Sequence, residues 1–249
     1  MTLSEFFSLY PEVVVAFSGG IDSVYLIYEA SRYARKVQAI FVRAGFQPEF
    51  EMLDAMDFCK RYGVQLKIIE YNIFEHDEVT SNPKDRCYYC KRAIFGLIRS
   101  EAASLGYDIV IDGTNADDDE NDRPGMRALN ELEILSPLRM CGLTKNRIRQ
   151  ASREAGLKLW NKPSYACLAT RIPYGEKITQ EKIHATEQAE KFIMEMGFEN
   201  FRVRLTGNTA KIQIMSSDFP RFMEHRHLIL KALESYYDSV TLDLRGRDE

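Results

Sequence analysis

The apolar run Val13-Val14-Val15-Ala16-Phe17 ends at Ser18-Gly19-Gly20-Ile21-Asp22-Ser23, and Val24-Tyr25-Leu26-Ile27-Tyr28-Glu29-Ala30 follows with helical character. Strand, glycine turn, helix is an order that leaves few folds open. The amides at a helix start have no partner within the helix, and the dipole is positive there, so the turn is suited to an anion and above all to phosphate. Gly19 and Gly20 let the backbone approach that anion closely and accept φ values that a side chain disfavours. Ser18 and Ser23 add hydroxyl donors, and the Asp22 carboxylate is suited to a magnesium ion. An unliganded glycine turn is the plain alternative, and the complete strand–turn–helix context weighs against it.

The alternation continues. Strands are expected at 13–17, 37–42, 65–71 and 108–112, and helices at 23–35, 49–62 and about 90–105. Short apolar strands alternating with amphipathic helices predict an α/β fold with a parallel sheet, whose ligands bind at the carboxyl ends of the strands. A further helix opens at Leu143-Thr144-Lys145 with Thr144 as N-cap and ends near Gly156. The stretch 162–175, with two prolines and a glycine, reads as an ordered functional loop. From Ile178 the pattern becomes helix (179–196), two strands (201–205 and 210–215) around Gly207-Asn208, helix (219–236) and strand (239–244). That is a small α+β domain, which divides the chain into 1–175 and 176–249.

The spacing G-x-x-x-x-G-K-[ST] of the common P-loop is absent. S-G-G-x-D-S after a strand instead resembles the PP-loop, or N-type ATP pyrophosphatase, superfamily, with its adenine nucleotide alpha hydrolase-like fold. That resemblance implies cleavage of ATP between the α and β phosphates, adenylylation of a substrate oxygen and displacement of AMP by nitrogen or sulfur.

A second nucleotide signal is Asp112-Gly113-Thr114-Asn115, again directly after a strand. Gly113, Thr114 and Asn115 bring amides and polar side chains to the same sheet edge as the first loop. Asp117, in the acidic stretch 117–122, is a candidate magnesium ligand beside Asp22. Arg123 and Arg127 are candidates to clamp an anionic substrate, with surface ion pairs as the alternative.

Among the cysteines, Cys87 and Cys90 have the C-x-x-C spacing that lets two thiolates face one metal or cluster, without a second such pair to complete a zinc ribbon. Cys59 and Cys141 read as structural. Cys167 stands in the functional loop with Lys162, Arg171 and Lys177 near it in sequence, cations that would favour its thiolate if they are also near in space. Cysteines in an intracellular chain favour metal or catalytic chemistry over disulfides. The N-terminus lacks the charged and apolar regions of a signal peptide, so a cytoplasmic protein with no membrane partner is expected. The formal net charge of −4 predicts no general nucleic-acid affinity.

In combination, S-G-G-I-D-S (18–23), R-C-Y-Y-C-K (86–91), D-G-T-N-A-D-D (112–118), D-R-P-G (122–125) and K-P-S-Y-A-C-L-A-T-R-I-P-Y-G (162–175) resemble the ATP-dependent sacrificial sulfur transferases of the LarE type. The resemblance covers nearly the full length. It implies ATP with magnesium, a small-molecule nucleotide substrate (pyridinium-3,5-biscarboxylic acid mononucleotide), and a thiocarboxylate product for nickel-pincer nucleotide cofactor biosynthesis. In one version of that chemistry the residue matching Cys167 gives up its sulfur and becomes dehydroalanine. In the other, Cys87, Cys90 and Cys167 hold a [4Fe-4S] cluster that carries the sulfur, and the presence of all three cysteines favours this version. The resemblance also implies substrate binding by Arg171 and Arg204, a metal or assembly role for Glu190, and a homo-oligomer of trimers pairing into hexamers. Rival readings are a tRNA-thiolating PP-loop enzyme, an amide-forming ligase of the NAD synthetase kind, and a non-catalytic nucleotide sensor with a structural metal.

Overall fold

A computed structural model describes residues 1–118, 124–163 and 165–247. The chain forms two compact units, Met1–Ile73 with Lys84–Tyr165 and Phe74–Pro83 with Ala166–Glu249.

The first unit begins with a helix that the alternation of apolar segments does not reveal, α1 (Leu3–Leu9). Its start is written in a capping box: the Glu5 amide donates to Thr2 Oγ1 (3.2 Å) and the Thr2 amide donates back to Glu5 Oε2 (2.7 Å). Then come β1 (Glu12–Ala16), α2 (Ile21–Tyr33), β2 (Lys36–Arg43), α3 (Glu49–Tyr62) and β3 (Gln65–Glu70). After the short α4 (Asp77–Thr80), which belongs to the second unit, follow α5 (Arg86–Ser104), β4 (Val110–Ile111), α6 (Pro124–Glu131), α7 (Pro137–Met140) and α8 (Lys145–Glu154). The four strands are all parallel, in the order β3-β2-β1-β4. β1 is central, with Val13, Val14 and Val15 fully buried, which is why it reads as a continuous apolar run and not as an alternating one. The chain proceeds from β1 outward to β3 on one side and returns with β4 on the other, so the crevice beyond the ends of β1 and β4 is the switch point of the sheet. Both nucleotide signals of the sequence lie there. β4 is shorter than expected, and on its other side Leu135 forms an isolated parallel bridge with Ile111, the Asp112 amide donating to Leu135 O (2.9 Å) and the Leu135 amide to Val110 O (3.1 Å).

The second unit contains α9 (Gln180–Glu195), β5 (Arg202–Thr206), β6 (Thr209–Gln213), α10 (Phe219–Glu224), α11 (Arg226–Leu233) and β7 (Ser239–Leu242). Its sheet is β5-β6-β7, antiparallel then parallel. Gly207, at φ 58°, opens the two-residue turn between β5 and β6. Ile183, Ala189 and Ile193 of α9 are buried, as are Val203, Leu205, Ala210 and Ile212 of the sheet. The helix expected over 219–236 is two helices, because His225 (φ −92°, ψ 4°) leaves the helical conformation. The second unit takes in residues 166–175 and also the earlier segment Phe74–Pro83. The two are joined at the buried Asn82, which donates through Nδ2 to Ile172 O (3.2 Å) and Pro173 O (2.7 Å), and whose own carbonyl accepts from the Gly175 amide (2.8 Å). Among the described residues no helix is long and apolar enough to cross a membrane.

Candidate active site

The PP-loop is a backbone cradle. Gly19 has φ 77°, and a Cβ there would stand 2.6 Å from the Glu51 carbonyl oxygen at the start of α3. Gly20 is the N-cap of α2 in an extended conformation and offers no side chain to the helix start. The first amide to close within the helix is that of Val24, to Gly20 O (2.9 Å), so the preceding turn of amides faces the loop mouth. Ser23 Oγ donates to Gly20 O (2.9 Å) and lies 3.1 Å from Ser18 Oγ, placing the two hydroxyls side by side.

The β4 loop closes on this cradle. A Cβ on Gly113 would approach the Ser23 amide nitrogen to 2.9 Å, so only glycine permits the contact. Asp112 is the internal strut, accepting from Thr114 Oγ1 (2.5 Å) and Ser136 Oγ (2.6 Å). Asn115 Nδ2 donates to Asp22 Oδ2 (3.1 Å). The other oxygen of Asp22, Oδ1, is buried without a hydrogen-bond partner. Burial pushes the Asp22 carboxyl above its usual range, Lys145, Asn115 and Arg149 oppose that rise, and Asp118 adds to it. A buried carboxylate oxygen left open among amides and hydroxyls is the donor a magnesium ion requires.

Asp117, the other candidate magnesium ligand, follows Asn115 on the same loop, and its amide donates to Asn115 Oδ1 (2.9 Å). It is exposed, and its Oδ2 accepts from the Lys145 amide (2.7 Å) at the start of α8. Arg123 lies outside the described residues. Arg127 lies over the Tyr88 ring at 3.6 Å and near Glu131 (3.6 Å), on an exposed helix face.

Cys87 and Cys90 occupy the first turn of α5 at i and i+3, on one helix face, with Cys87 exposed and Cys90 half-buried. Cys59 is buried, and burial pushes its thiol up to about 12. Burial also raises Cys141. Among the described residues no three His, Cys, Asp or Glu side chains are grouped to hold a metal ion. Within the first unit the C-x-x-C brings two thiols to one face of α5.

In the second unit Cys167 immediately precedes a 3₁₀ turn, Leu168–Arg171. Thr170 ties the turn down. Its hydroxyl donates to Cys167 O (2.8 Å) and accepts from Arg171 Nη1 (2.7 Å). Arg171 is buried and paired with Glu190 through Nε (2.7 Å) and Nη2 (3.0 Å), and Glu190 Oε1 also accepts from the Val203 amide (2.8 Å). Glu190 is thereby a buried strut between Arg171 and the start of β5. Arg204 donates to Thr170 O (3.1 Å) and Gln213 Oε1 (2.7 Å). Arg247, which sequence reading does not single out, has a buried Nε with no hydrogen-bond partner, and its pKa is lowered by burial and then by Arg204 and Arg171. At Arg247 the like charges of Arg204 and Arg171 are opposed by the Glu190 carboxylate, an arrangement with a positive excess suited to an anion.

The family model for the queuosine biosynthesis protein QueC matches residues 12–85, the stretch that contains the PP-loop. An uncharacterized protein of Synechocystis sp. is 33% identical over 98% of this chain and 92% of its own length. An uncharacterized protein of Methanocaldococcus jannaschii is 31% identical over 94% of this chain and 89% of its own length. The pyridinium-3,5-bisthiocarboxylic acid mononucleotide synthase of Lactiplantibacillus plantarum is 30% identical over 94% of this chain and 86% of its own length.

The chain belongs to the LarE-type family of ATP-dependent sulfur transferases. As such it is an ATP-using enzyme of the PP-loop superfamily, to which ATP and magnesium are common. Ser18, Gly19, Gly20, Asp22, Ser23, Gly113, Thr114 and Asn115 of this LarE-type chain converge at one crevice, whereas Cys167, Arg171 and Arg204 belong to the second unit. Lys145 is a residue that sequence reading passes over. It stands at the start of α8 and is the first charge to oppose the rise of Asp22. Its only sequence signal is its position directly after the Thr144 N-cap.

Proposed function

We propose that the chain activates pyridinium-3,5-biscarboxylic acid mononucleotide with ATP and replaces a carboxylate oxygen with sulfur, on the way to the nickel-pincer nucleotide cofactor. The observation that carries this reading is the likeness, over nearly the whole chain, to the L. plantarum synthase named for the bisthiocarboxylic product. The local chemistry supports it. In the first step a substrate carboxylate oxygen attacks the α-phosphorus of ATP and pyrophosphate leaves, giving an acyl adenylate. The first-turn amides of α2 and the Ser18 and Ser23 hydroxyls hold the leaving phosphates. Asp22 holds the magnesium ion, with Asn115 fixing the orientation of its carboxylate. In the second step a sulfur nucleophile adds to the acyl carbon and the bond to AMP breaks, giving the thiocarboxylate. Arg204 and Arg247 supply the positive excess that takes the phosphate of the substrate.

For the sulfur source, Cys87, Cys90 and Cys167 would together hold a four-iron, four-sulfur cluster, which supplies sulfide when bound. A second reading rests on Cys167 alone, which immediately precedes the 3₁₀ turn and whose carbonyl is held by the Thr170 hydroxyl. Here the Cys167 thiolate itself attacks the adenylate. Loss of its Cα proton then breaks the Cβ–S bond, releasing thiocarboxylate and leaving dehydroalanine. Pyrophosphate release that depends on the dicarboxylate substrate tests the reading as a whole, and its absence would sink it. Intact mass after turnover separates the two sulfur sources. Loss of the elements of hydrogen sulfide at Cys167 establishes sacrifice, and an unchanged mass through several turnovers of iron–sulfide-reconstituted protein establishes the cluster. The same reading carries a homo-oligomer, trimers pairing into hexamers, which light scattering of the purified chain checks.

A further inference from the structure

Two arginines pin the Cys167 turn at one residue, Thr170, and each has an acceptor of its own behind it. Arg171 donates to the Thr170 hydroxyl (2.7 Å) and is held by Glu190. Arg204 donates through Nη1 to the Thr170 carbonyl (3.1 Å). What stands behind Arg204 follows from the period of the sheet. Val203, Leu205, Ala210 and Ile212 are buried, so Arg204 on β5 and Lys211 and Gln213 on β6 share the outward face. The parallel pairing of β6 with β7, Ile212 beside Leu242, brings Asp243 to that face next to Gln213. There Gln213 Oε1 accepts from Arg204 Nε (2.7 Å), and Gln213 Nε2 donates to Asp243 Oδ2 (2.8 Å). Asp243 also accepts from Lys211 Nζ (2.8 Å) and from the Arg245 amide (3.3 Å). Hydrogen bonds from Lys211, then Gln213 and Arg245, hold its carboxyl down at about 2, so near neutral pH it only accepts.

We propose that Asp243 and Gln213 are positioning residues, which set the place of the Cys167 turn through Arg204. A side-chain amide can sit either way round, and only one orientation offers an oxygen to Arg204. Asp243, an acceptor only, takes the amide nitrogen of Gln213 and so turns the oxygen towards Arg204 Nε. The reversed amide would set two donors against each other at Arg204 and two acceptors against each other at Asp243. With Nε fixed, the plane of the guanidinium is fixed, and Nη1 meets the Thr170 carbonyl. The Thr170 amide and hydroxyl in turn both donate to Cys167 O (3.0 and 2.8 Å). The whole path, Asp243 to Gln213 to Arg204 to Thr170 to Cys167, lies within the second unit. Its meaning for catalysis rests on the sulfur-transfer reading. It holds whether Cys167 ligates a cluster or gives up its own sulfur, since both require the residue to be held in place.

The test is amide hydrogen exchange of the full chain, read at Thr170, with the buried Ile193 of α9 as the reference. Gln213→Met removes both contacts of the amide, and Asp243→Asn frees the amide to turn round. Each should speed exchange at Thr170 about tenfold, the effect of one hydrogen bond to a charged group, and leave Ile193 unchanged. The double variant Asp243→Asn with Gln213→Glu inverts the pair: the carboxylate now faces Arg204, and the amide nitrogen donates to it from behind. Net charge is kept, and the Thr170 rate should return to within about twofold of wild type. If Gln213→Met does not fold, Asp243→Asn and the double variant decide. Wild-type exchange at Thr170 in the single variants overturns the proposal. So does equal acceleration at Ile193, which is a loss of stability of the whole unit, or a double variant as fast as Asp243→Asn. With ATP, magnesium and the dicarboxylate substrate, thiocarboxylate formed per pyrophosphate released should fall about tenfold in the single variants and recover in the double. An unchanged ratio alongside faster exchange overturns the catalytic role. A wild type that forms no thiocarboxylate removes the sulfur-transfer reading instead, and the exchange rates still judge the positioning.

Discussion

Gly19 and Gly20 are adjacent, yet they face different constraints. Gly19 has φ 77° and no room for a Cβ, which would meet the Glu51 carbonyl oxygen at 2.6 Å, whereas at Gly20 the nearest atom is the flexible Ser18 Oγ at 3.5 Å. Gly19→Ala should therefore cost about 3 kcal/mol from backbone strain and displacement of α3, and Gly20→Ala a few tenths at most. Urea unfolding of the two variants tests this contrast, and equal losses would contradict it. Glu51 itself makes a separate, pH-dependent contribution. Burial pushes its carboxyl up from 4.5 to about 7, with Lys162 opposing and Asp54 adding to the rise. Because the folded value lies above the unfolded one, the stability that the neutral form brings is fully present below pH 4.5 and is lost as pH rises through about 7. Glu51→Gln stays neutral throughout, so its stability relative to wild type should rise by about 2 kcal/mol between about pH 5 and about pH 8. A pH-independent difference between the two unfolding curves would show that Glu51 does not titrate in this way.

Among the elements, β4 contributes only Val110 and Ile111, so the loop after it is positioned by contact more than by strand pairing. That contact is Gly113 against the α2 backbone, where a Cβ would come within 2.9 Å of the Ser23 nitrogen and 3.1 Å of its Cα. Gly113→Ala must push the two loops apart and separate Asn115 from Asp22. Binding of magnesium with α,β-methylene-ATP should weaken about tenfold or more while far-UV circular dichroism is unchanged. Retained affinity would show that the loop spacing does not govern the site. Both nucleotide loops were legible in the sequence because the signal is local: buried parallel strands read as apolar runs, and the glycines sit at the strand ends. Other features were hidden. α6 and α7 lack a long apolar period, and the helix expected from about Cys90 opens earlier, at Arg86, because Asp85 gives α5 no side-chain cap to mark its start. Lys145 and Asn82 act through contacts far apart in sequence, which no spacing rule reports. Arg247 is legible only from its buried Nε without a partner.

At the scale of the whole molecule, the nucleotide crevice belongs to one unit and the Cys167 turn to the other, and a different device holds each together. The first rests on a fully buried central strand. The second places a charged pair in its interior, Arg171 and Glu190, each with a side chain 1% exposed. Such a pair is a poor source of net stability, yet removal of one partner is costly because it leaves the other charge buried alone. Glu190→Gln keeps an oxygen for the Val203 amide and for Arg171 but removes the negative charge that pairs with Arg171 and opposes the action of Arg204 and Arg171 on Arg247. The second unit should lose about 3–5 kcal/mol, seen as an earlier unfolding phase. Binding of magnesium with the ATP analogue at the PP-loop should persist at temperatures below that phase. Inorganic phosphate should restore part of the loss in the variant and raise the wild-type midpoint less, because it supplies the missing negative charge, and sodium chloride at equal ionic strength should not. A single unfolding transition insensitive to phosphate would mean that the arginine cluster neither depends on Glu190 nor receives an anion.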